Sequence, residues 1–165
     1  LGDRVCIDTI TNMKEGEGML VGDYSNGMVL VNSESLDNPY VASRPFRVNA
    51  GAVHCYIMLP ENKTKYLADL RSGDNVLIVN HKGETFTSVI GRIKLEKRPM
   101  LRIEVKGKMS NFSVVLQNAE TIRIVTPDGK SKSVVSLKKG DKIVIFEEKG
   151  GRHFGHQIEE TIEEK

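Results

Sequence analysis

The chain has 165 residues, of which 39% are hydrophobic, so it is long enough to bury the core of one domain or of two small barrels. Its 24 basic and 22 acidic residues are interspersed without a dense cationic block, which argues against a nucleic-acid partner. No apolar run approaches the roughly 20 residues that span a bilayer, and no signal peptide opens the sequence. We therefore expect a cytoplasmic protein with no membrane partner.

Short runs rich in β-branched, aliphatic and aromatic residues dominate the sequence. Each run is bounded by Gly, Asp, Asn or Pro, as strands are. In chain order the predicted strands are 4–8, 27–31, 53–59, 75–79, 88–95, 100–105, 112–116, 121–125 and 142–146. Weak helical periodicity occurs over 64–74 and 157–165. We expect an all-β fold, barrel-like or paired-barrel, with at most two short helices.

The glycines near the start of the chain superficially resemble a dinucleotide-binding fingerprint. Gly16, Gly18 and Gly22 would need a following helix whose N-terminus faces the pyrophosphate. The sequence instead continues as "GMLVGDYSNGMVLV", which predicts a β-hairpin. No cofactor-binding residue is therefore assigned.

Metal ligation is not expected from the cysteine and histidine spacing. Cys6 and Cys55 are too few and too far apart for a zinc site, and they indicate buried thiols in a reducing compartment. His153 and His156 have a spacing that can chelate on a helix, but Gly155 lies between them. The sequence predicts no metal site.

A turn-strand unit recurs along the chain. The segment "PENK" at 60–63 and its downstream "GD" at 73–74 return 67 positions later as "PDGK" at 127–130 and "GD" at 140–141. The turn and strand start also occur as "GDRVCI" at 2–7. We expect a single β-rich region over 1–165 with quasi-repeats at about 1–58, 59–125 and 126–165. In such a unit Gly permits the turn and Asp accepts hydrogen bonds from local amides.

Polar residues occur at equivalent strand starts of this repeat. Equivalent strand ends of a closed β architecture gather at one mouth, where arginines hold carboxylates and amides orient hydroxyls. The residues predicted to line this mouth are Arg44, Arg47 and Asn49 before one strand, and Gln117, Asn118, Glu120 and Arg123 at its counterpart. The residues favour a small, oxygen-rich anionic ligand. The alternative is that the asparagines cap turns and the arginines pair with edge carboxylates.

Four long blocks carry a family resemblance: "RPFRVNAGAVHCYI", "GRIKLEKRPMLRIE", "VVLQNAETIRIVTPDG" and "GGRHFGHQIEETIEEK". With the opening "DRVCIDTITNMKEGEGMLVG" they resemble the C-terminal half of the archaeal-type 3-dehydroquinate synthase family, also called dehydroquinate synthase II. Members of that family are about twice as long. The resemblance thus implies that this chain is the C-terminal part of a larger enzyme, whose N-terminal half would be its partner.

The resemblance also implies a reaction. The family converts 2-amino-3,7-dideoxy-D-threo-hept-6-ulosonate, with NAD⁺ and water, into 3-dehydroquinate, ammonia and NADH, in the shikimate pathway of aromatic amino acid biosynthesis. The implied activity is that of an NAD-dependent oxidoreductase that deaminates a CH–NH₂ group and couples this step to cyclisation. It requires a clamp for the substrate carboxylate, a general base and donors for a developing oxyanion.

Roles follow for the strand-start residues. Arg44 and Arg47 are expected to hold the substrate carboxylate, because an arginine fork fits it, and Asn49 and Asn118 to orient hydroxyls or the ketone. Gln117 and Arg123 complete the expected substrate-binding set. The acid–base candidates are His54, Glu120, His153 and Lys94.

Two other functions remain open from the sequence. One is a metal-dependent cyclase similar to 3-amino-4-hydroxybenzoate synthase, which a metal requirement would distinguish. The other is a non-catalytic β-barrel module that binds RNA or protein. The absence of tryptophan and of a basic stripe argues against that module, because nucleic-acid grooves use both aromatic stacking and cations. No oligomeric state follows from the sequence.

Overall fold

The computed structural model describes residues 1–149, 152–153 and 156–157. Among these residues the regular secondary structure is almost entirely antiparallel β-strand. The strands are β1 (Gly2–Thr9), β2 (Glu17–Tyr24), β3 (Gly27–Asn32), β4 (Arg47–Ala52), β5 (Tyr56–Leu59), β6 (Lys63–Tyr66), β7 (Asn75–Asn80), β8 (Thr85–Arg98), β9 (Met100–Lys106), β10 (Asn111–Gln117), β11 (Arg123–Val125), β12 (Ser131–Ser133), β13 (Ile145–Glu147), β14 (Arg152–His153) and β15 (His156–Gln157). Single 3-10 turns occur at Pro60–Asn62, Leu67–Asp69 and Val134–Ser136. The all-β prediction is confirmed, and every predicted strand overlaps an observed one.

One large curled sheet supports the molecule. It joins 11 strands, with β12-β11-β3-β2-β7-β8-β1-β4 as its main path, β13 attached to β3, and β5 and then β6 attached to β2. The β9–β10 hairpin forms a separate sheet, and β10 packs against β2, β3 and β4. The result is a barrel-like all-β architecture whose main core lies between the large sheet and β10.

The β2–β3 hairpin is buried on both faces. In β3, Val29 and Val31 pack into the main core, whereas Met28 and Leu30 pack into a second apolar cluster on the other side. Alternating side chains of a strand point to opposite faces, so a continuous apolar run is needed where both faces are covered. Strands β2 and β3 pair antiparallel, which confirms the β-hairpin predicted for 18–31.

Strand β1 is also buried, but its two faces differ in chemistry. Val5 and Ile7 pack into the main core, and Arg4, Cys6 and Asp8 alternate with them on the opposite side. Directly opposite residues of neighbouring strands share a face. The polar face, as we call it, consists of Arg4, Cys6 and Asp8 of β1, Arg47 and Asn49 of β4, and Arg92, Lys94 and Glu96 of β8.

Two strand pairs repeat the same register. Tyr56 of β5 faces Tyr66 of β6, and 67 positions later Arg123 of β11 faces Ser133 of β12. Both pairs attach to the central hairpin, β5 to β2 and β11 to β3. The spacing seen in the sequence thus corresponds to two equivalent ways of extending one hairpin.

The turns that follow these pairs are equivalent as well. Gly73 and Gly140 have φ of 92° and 97°, which favours glycine. The carboxylates of Asp74 and Asp141 each accept a hydrogen bond at 2.8 Å from the backbone N–H three residues earlier. Local turn chemistry therefore explains why the Gly-Asp pairs recur.

Two local expectations are corrected. The segment 49–52, which lies outside the strands predicted from the sequence, belongs to strand β4 and pairs with β1 around a register shift between Val5 and Cys6. The segment 64–74, a possible helix, forms most of β6 and one 3-10 turn, because β6 pairs with β5 over its whole length. The other possible helix, 157–165, lies outside the described residues after Gln157.

Candidate functional site

A cavity of about 540 Å³ opens between the segment 33–42 and the β11–β12 pair. Among the described residues, its wall consists of Ser33, Glu34, Leu36, Asp37, Asn38, Pro39, Tyr40, Val41, Ala42, Glu120, Thr121, Arg123, Ser133 and Ser136. Its volume lies within the range of small-molecule sites, about 300–1,000 Å³. Two of the predicted site residues, Glu120 and Arg123, lie in this wall.

Hydroxyl groups and one guanidinium provide much of the cavity's hydrogen-bonding capacity. Arg123 donates from Nε to Ser131 Oγ at 2.8 Å and from Nη2 to the Ser131 carbonyl at 2.6 Å, which fixes its orientation and leaves further N–H donors. Ser131 Oγ in turn donates to Glu15 Oε2 at 2.9 Å. Ser133 Oγ is buried and has no hydrogen-bond partner within the described part of the chain.

Glu34 connects the cavity to the polar face. Its backbone is held between two arginines: Arg44 N–H donates to the Glu34 carbonyl at 2.6 Å, and Glu34 N–H donates to the Arg47 carbonyl at 2.8 Å. Burial raises the pKa of the Glu34 carboxyl, and the charges of Arg47, Arg44 and Arg4 offset part of that rise. A carboxyl group whose pKa is raised in this way is a candidate for proton transfer.

Asp8 organises one end of the polar face. Arg47 approaches it as a fork, with Nε 2.7 Å from Oδ1 and Nη2 3.1 Å from Oδ2, and Arg92 Nε lies 2.8 Å from Oδ2. Burial disfavours the charged carboxylate, but the hydrogen bonds from Arg47 and Arg92 outweigh it and lower the pKa of Asp8. The fork expected to hold a substrate carboxylate thus holds a carboxylate of the chain itself.

The other end of the polar face is an amide and guanidinium network. Gln117 Oε1 accepts hydrogen bonds from Arg4 Nη1 at 2.6 Å and from Asn49 Nδ2 at 2.8 Å. Arg4 Nη2 lies 3.4 Å from Glu96 Oε1. Arg4 Nε and Asn49 Oδ1 are buried and have no partner in the described part of the chain. The structure therefore brings two predicted residues, Asn49 and Gln117, into direct contact, and Arg4 donates to the same Gln117 oxygen.

Other predicted residues lie apart from the cavity. Asn118 is exposed, and its backbone N–H donates to the Pro99 carbonyl at 2.9 Å. Lys94 Nζ lies 3.7 Å from Glu96 Oε1 on the polar face. Arg44 Nη1 donates to the Ala42 carbonyl at 3.3 Å, beside the cavity wall. The side chain of His153 lies outside the described residues.

His54 belongs to a second group of polar side chains. It lies in the turn between β4 and β5 rather than in a strand, and its Nε2 is 2.8 Å from Asp23 Oδ1. Cys55 Sγ donates to the same Asp23 oxygen at 3.4 Å, and Ser113 Oγ donates to Asp23 Oδ2 at 2.5 Å. Burial raises the pKa of the Cys55 thiol to about 12. Both cysteines are free and buried, as predicted.

Several of these residues were missed from the sequence: Arg4, Asp8, Asp23, Glu34 and Ser133. For Arg4 and Asp8 a signal existed, because charged residues alternate with apolar ones in the predicted strand 4–8. For Glu34 and Ser133 no local signal existed. Their position depends on which loops the sheet brings together.

The described residues do not fit the dinucleotide cradle built on a helix N-terminus. Gly18 and Gly22 lie within strand β2, and the part of the chain that the structure describes contains no α-helix. Its helical turns also lack the length and apolar character of a membrane-spanning helix.

Comparison with known proteins identifies relatives over the whole chain. The family described as the 3-dehydroquinate synthase II C-terminal domain matches residues 1–165. A 3-dehydroquinate synthase of Methanococcus maripaludis is 61% identical over 164 residues, which cover 99% of this chain and 45% of the relative. That of Methanocaldococcus jannaschii is 57% identical over 164 residues, with 99% and 45% covered. A 3-dehydroquinate synthase homolog of Aquifex aeolicus is 56% identical over 165 residues, with 100% and 50% covered.

The chain therefore spans about half the length of the curated relatives it matches. No solved structure matches it significantly.

Proposed function

Because the chain belongs to the 3-dehydroquinate synthase II family, as its C-terminal domain, we propose that the protein carrying it forms 3-dehydroquinate. The proposed reaction is the NAD-dependent oxidative deamination and cyclisation of 2-amino-3,7-dideoxy-D-threo-hept-6-ulosonate, an early step towards aromatic amino acids. The proposed partner of this domain is the N-terminal half of the same enzyme, and the proposed compartment is the cytoplasm.

The observation that carries the proposal is the set of polar groups in the wall of the cavity beside β11 and β12. The cavity's volume of about 540 Å³ suits a small polyhydroxylated acid, and hydroxyls, carboxylates and a guanidinium stand in its wall among apolar side chains. These groups support an oxygen-rich substrate.

In the proposed binding mode, Arg123 holds the substrate carboxylate through the N–H donors that Ser131 does not use. Arg123 faces Ser133 across the paired strands β11 and β12, so its position is set before the substrate arrives.

Proton transfer is assigned to two carboxyl groups in different surroundings. Glu34 is partly buried and its pKa is raised, so it can carry a proton that an ordinary glutamate has lost. Glu120 is exposed in the same wall and is the candidate that removes a proton from the substrate. The cations near Glu34, chiefly Arg47 and Arg44, stabilise negative charge developing there.

The nicotinamide cofactor is proposed to bind outside the described residues of this domain. These residues contain no α-helix whose N-terminus could face the pyrophosphate.

Steady-state kinetics of the full-length protein test the cavity. Arg123→Gln should lower kcat/KM for 3-dehydroquinate formation by about 10- to 100-fold, mainly through KM, because one charge-assisted hydrogen bond contributes about 1.5–3 kcal/mol. Arg102→Gln is the matched control, since Arg102 is exposed and, among the described residues, its ion-pair partner is Glu104 at 3.2 Å, away from the cavity. If both variants stay within threefold of the wild type, the cavity is not the substrate site.

A further inference from the structure

Asp23, His54 and Cys55 form a compact donor set away from the cavity just described. Asp23 comes from the end of β2, and the other two come from the turn between β4 and β5. One ligand atom of each residue lies within 4.8 Å of the other two. None of the three contributes to the cavity wall, so the group requires its own explanation.

The separations are close to those around a tetrahedral metal ion. Metal–ligand bonds of about 2.0–2.3 Å at tetrahedral angles place the ligand atoms about 3.3–3.6 Å apart. Cys55 Sγ lies 3.4 Å from Asp23 Oδ1 and 3.8 Å from His54 Nε2. The distance of 2.8 Å between Asp23 Oδ1 and His54 Nε2 is shorter, so these two atoms would move about 0.5 Å further apart when an ion binds between them.

The surroundings select the oxygen that would bind. Ser113 Oγ donates to Asp23 Oδ2 at 2.5 Å, which leaves Oδ1 directed at the imidazole and the thiol. Such an outer hydrogen bond orients a ligating carboxylate in metal sites. Ser113 is itself buried on β10, so this orientation is fixed by the packing of β10 on the main sheet.

A metal ion could reach the three ligand atoms from the exposed side of His54. The His54 side chain is 53% exposed, whereas Asp23 retains 10% and Cys55 is fully buried. Three protein ligands leave a fourth tetrahedral position, and the exposed imidazole places that position at the surface. One nitrogen, one oxygen and one sulfur ligand suit Zn²⁺ better than the hard cations Mg²⁺ and Ca²⁺.

The geometry points to a Zn²⁺ site formed by Asp23 Oδ1, His54 Nε2 and Cys55 Sγ, with an exchangeable fourth ligand. Cys55 binds Zn²⁺ as its thiolate, and the thiol proton passes to solvent. The site is independent of the cavity and of the proposed reaction.

The test uses the full-length protein after removal of metals with a chelator. Zn²⁺ is titrated in competition with a chromogenic zinc chelator. The wild type should bind one more equivalent than His54→Gln or Cys55→Ser, and Ser113→Ala should bind that equivalent about 10- to 100-fold more weakly. His54→Gln is decisive because the exposed ring can be replaced without disturbing the core.

Matched controls are His81→Gln and Cys6→Ser, because neither residue belongs to the group; both should retain the additional equivalent. Titration with Co²⁺ gives a second readout, since a thiolate-to-cobalt band in the near ultraviolet should appear in the wild type and in Cys6→Ser and be lost in Cys55→Ser. Equal Zn²⁺ stoichiometry in the wild type and His54→Gln overturns the proposal. So does a cobalt band that survives in Cys55→Ser.

Discussion

Asp8 shows how a single carboxylate can hold two guanidinium groups on a buried strand. Only 4% of its side chain is exposed, and Arg47, which forms the fork, is 14% exposed. Burial alone would disfavour both charges, so their mutual hydrogen bonds determine whether this end of the polar face is stable. Arg92 is 61% exposed and contributes less.

We predict that Asp8→Asn lowers the free energy of unfolding by about 3 kcal/mol at neutral pH, because it leaves the Arg47 charge buried without its partner. The folded pKa of Asp8 is lowered, so its contribution is present above the unfolded pKa and is lost as pH falls through the folded pKa. The difference between variant and wild type should therefore shrink below about pH 4. Urea denaturation at a series of pH values measures it.

Asp3→Asn on the same strand is the control for this prediction. Asp3 pairs with Lys97 at 2.9 Å, but the two side chains are 51% and 74% exposed, so its loss should change stability little at any pH. A constant difference between Asp8→Asn and the wild type down to acid pH would contradict the assigned role of the carboxylate.

The sequence pointed to some residues of the candidate site and not to others, for identifiable reasons. Glu120 and Arg123 were selected because they stand at a strand start of a repeated unit, and both lie in the cavity wall; their roles remain predictions. Arg47 was found as a cation, but its partner Asp8 is 39 residues away, and only the β1–β4 register shows that the two meet. Asp23 and His54 are similarly joined only by the fold, so sequence spacing could not reveal them.

At the scale of elements, β4 depends on one glycine. Gly51 has φ of 101°, and a Cβ built there would lie 2.3 Å from the Val115 carbonyl oxygen of β10. The group that closely approaches the backbone at Gly51 is therefore a neighbouring strand. This contact fixes β10 against β4 and thereby places Gln117 beside Asn49.

We predict that Gly51→Ala lowers the free energy of unfolding by roughly 3 kcal/mol or more. A left-handed backbone costs about 1–2 kcal/mol for a residue with a Cβ, and overpacking against fixed backbone adds about 1–3 kcal/mol. Gly73→Ala separates the two terms, because Gly73 has φ of 92° and nothing within 4 Å of its built Cβ. Equal losses in thermal or urea denaturation for both variants would show that β10 can move away.

The fold could be predicted from the sequence further than the site could. Runs of branched residues between turn formers identify strands, since each run must cover a core on at least one face. Strand β4 was missed because Asn49, Ala50 and Gly51 have weak strand preference. Its pairing with β1 and the covering β10 determine its conformation.

At the scale of the whole molecule, the described residues contain the proposed substrate cavity but no α-helix that could form a helix-based dinucleotide site. We therefore expect the proposed enzyme to bind its substrate in this domain and its cofactor largely outside the described residues. Substrate affinity and cofactor affinity should then respond to different substitutions.

We predict that Arg123→Gln in the full-length protein raises the KM for the amino-sugar acid at least tenfold and leaves the dissociation constant of NAD⁺ within twofold of the wild type. Calorimetric titration of NAD⁺ into the free enzyme measures the second quantity. A tenfold weaker NAD⁺ affinity in this variant would place the cofactor at the cavity.

The shared register of β5–β6 and β11–β12 shows how such a domain acquires a site. Tyr56 and Tyr66 stack with ring centroids 4.7 Å apart, whereas the equivalent positions 67 residues later are Arg123 and Ser133. The same pairing geometry thus carries an aromatic pair in one position and an arginine and a serine beside the cavity in the other. Exchanging the two pairs would show whether this strand pair accepts binding chemistry in either position.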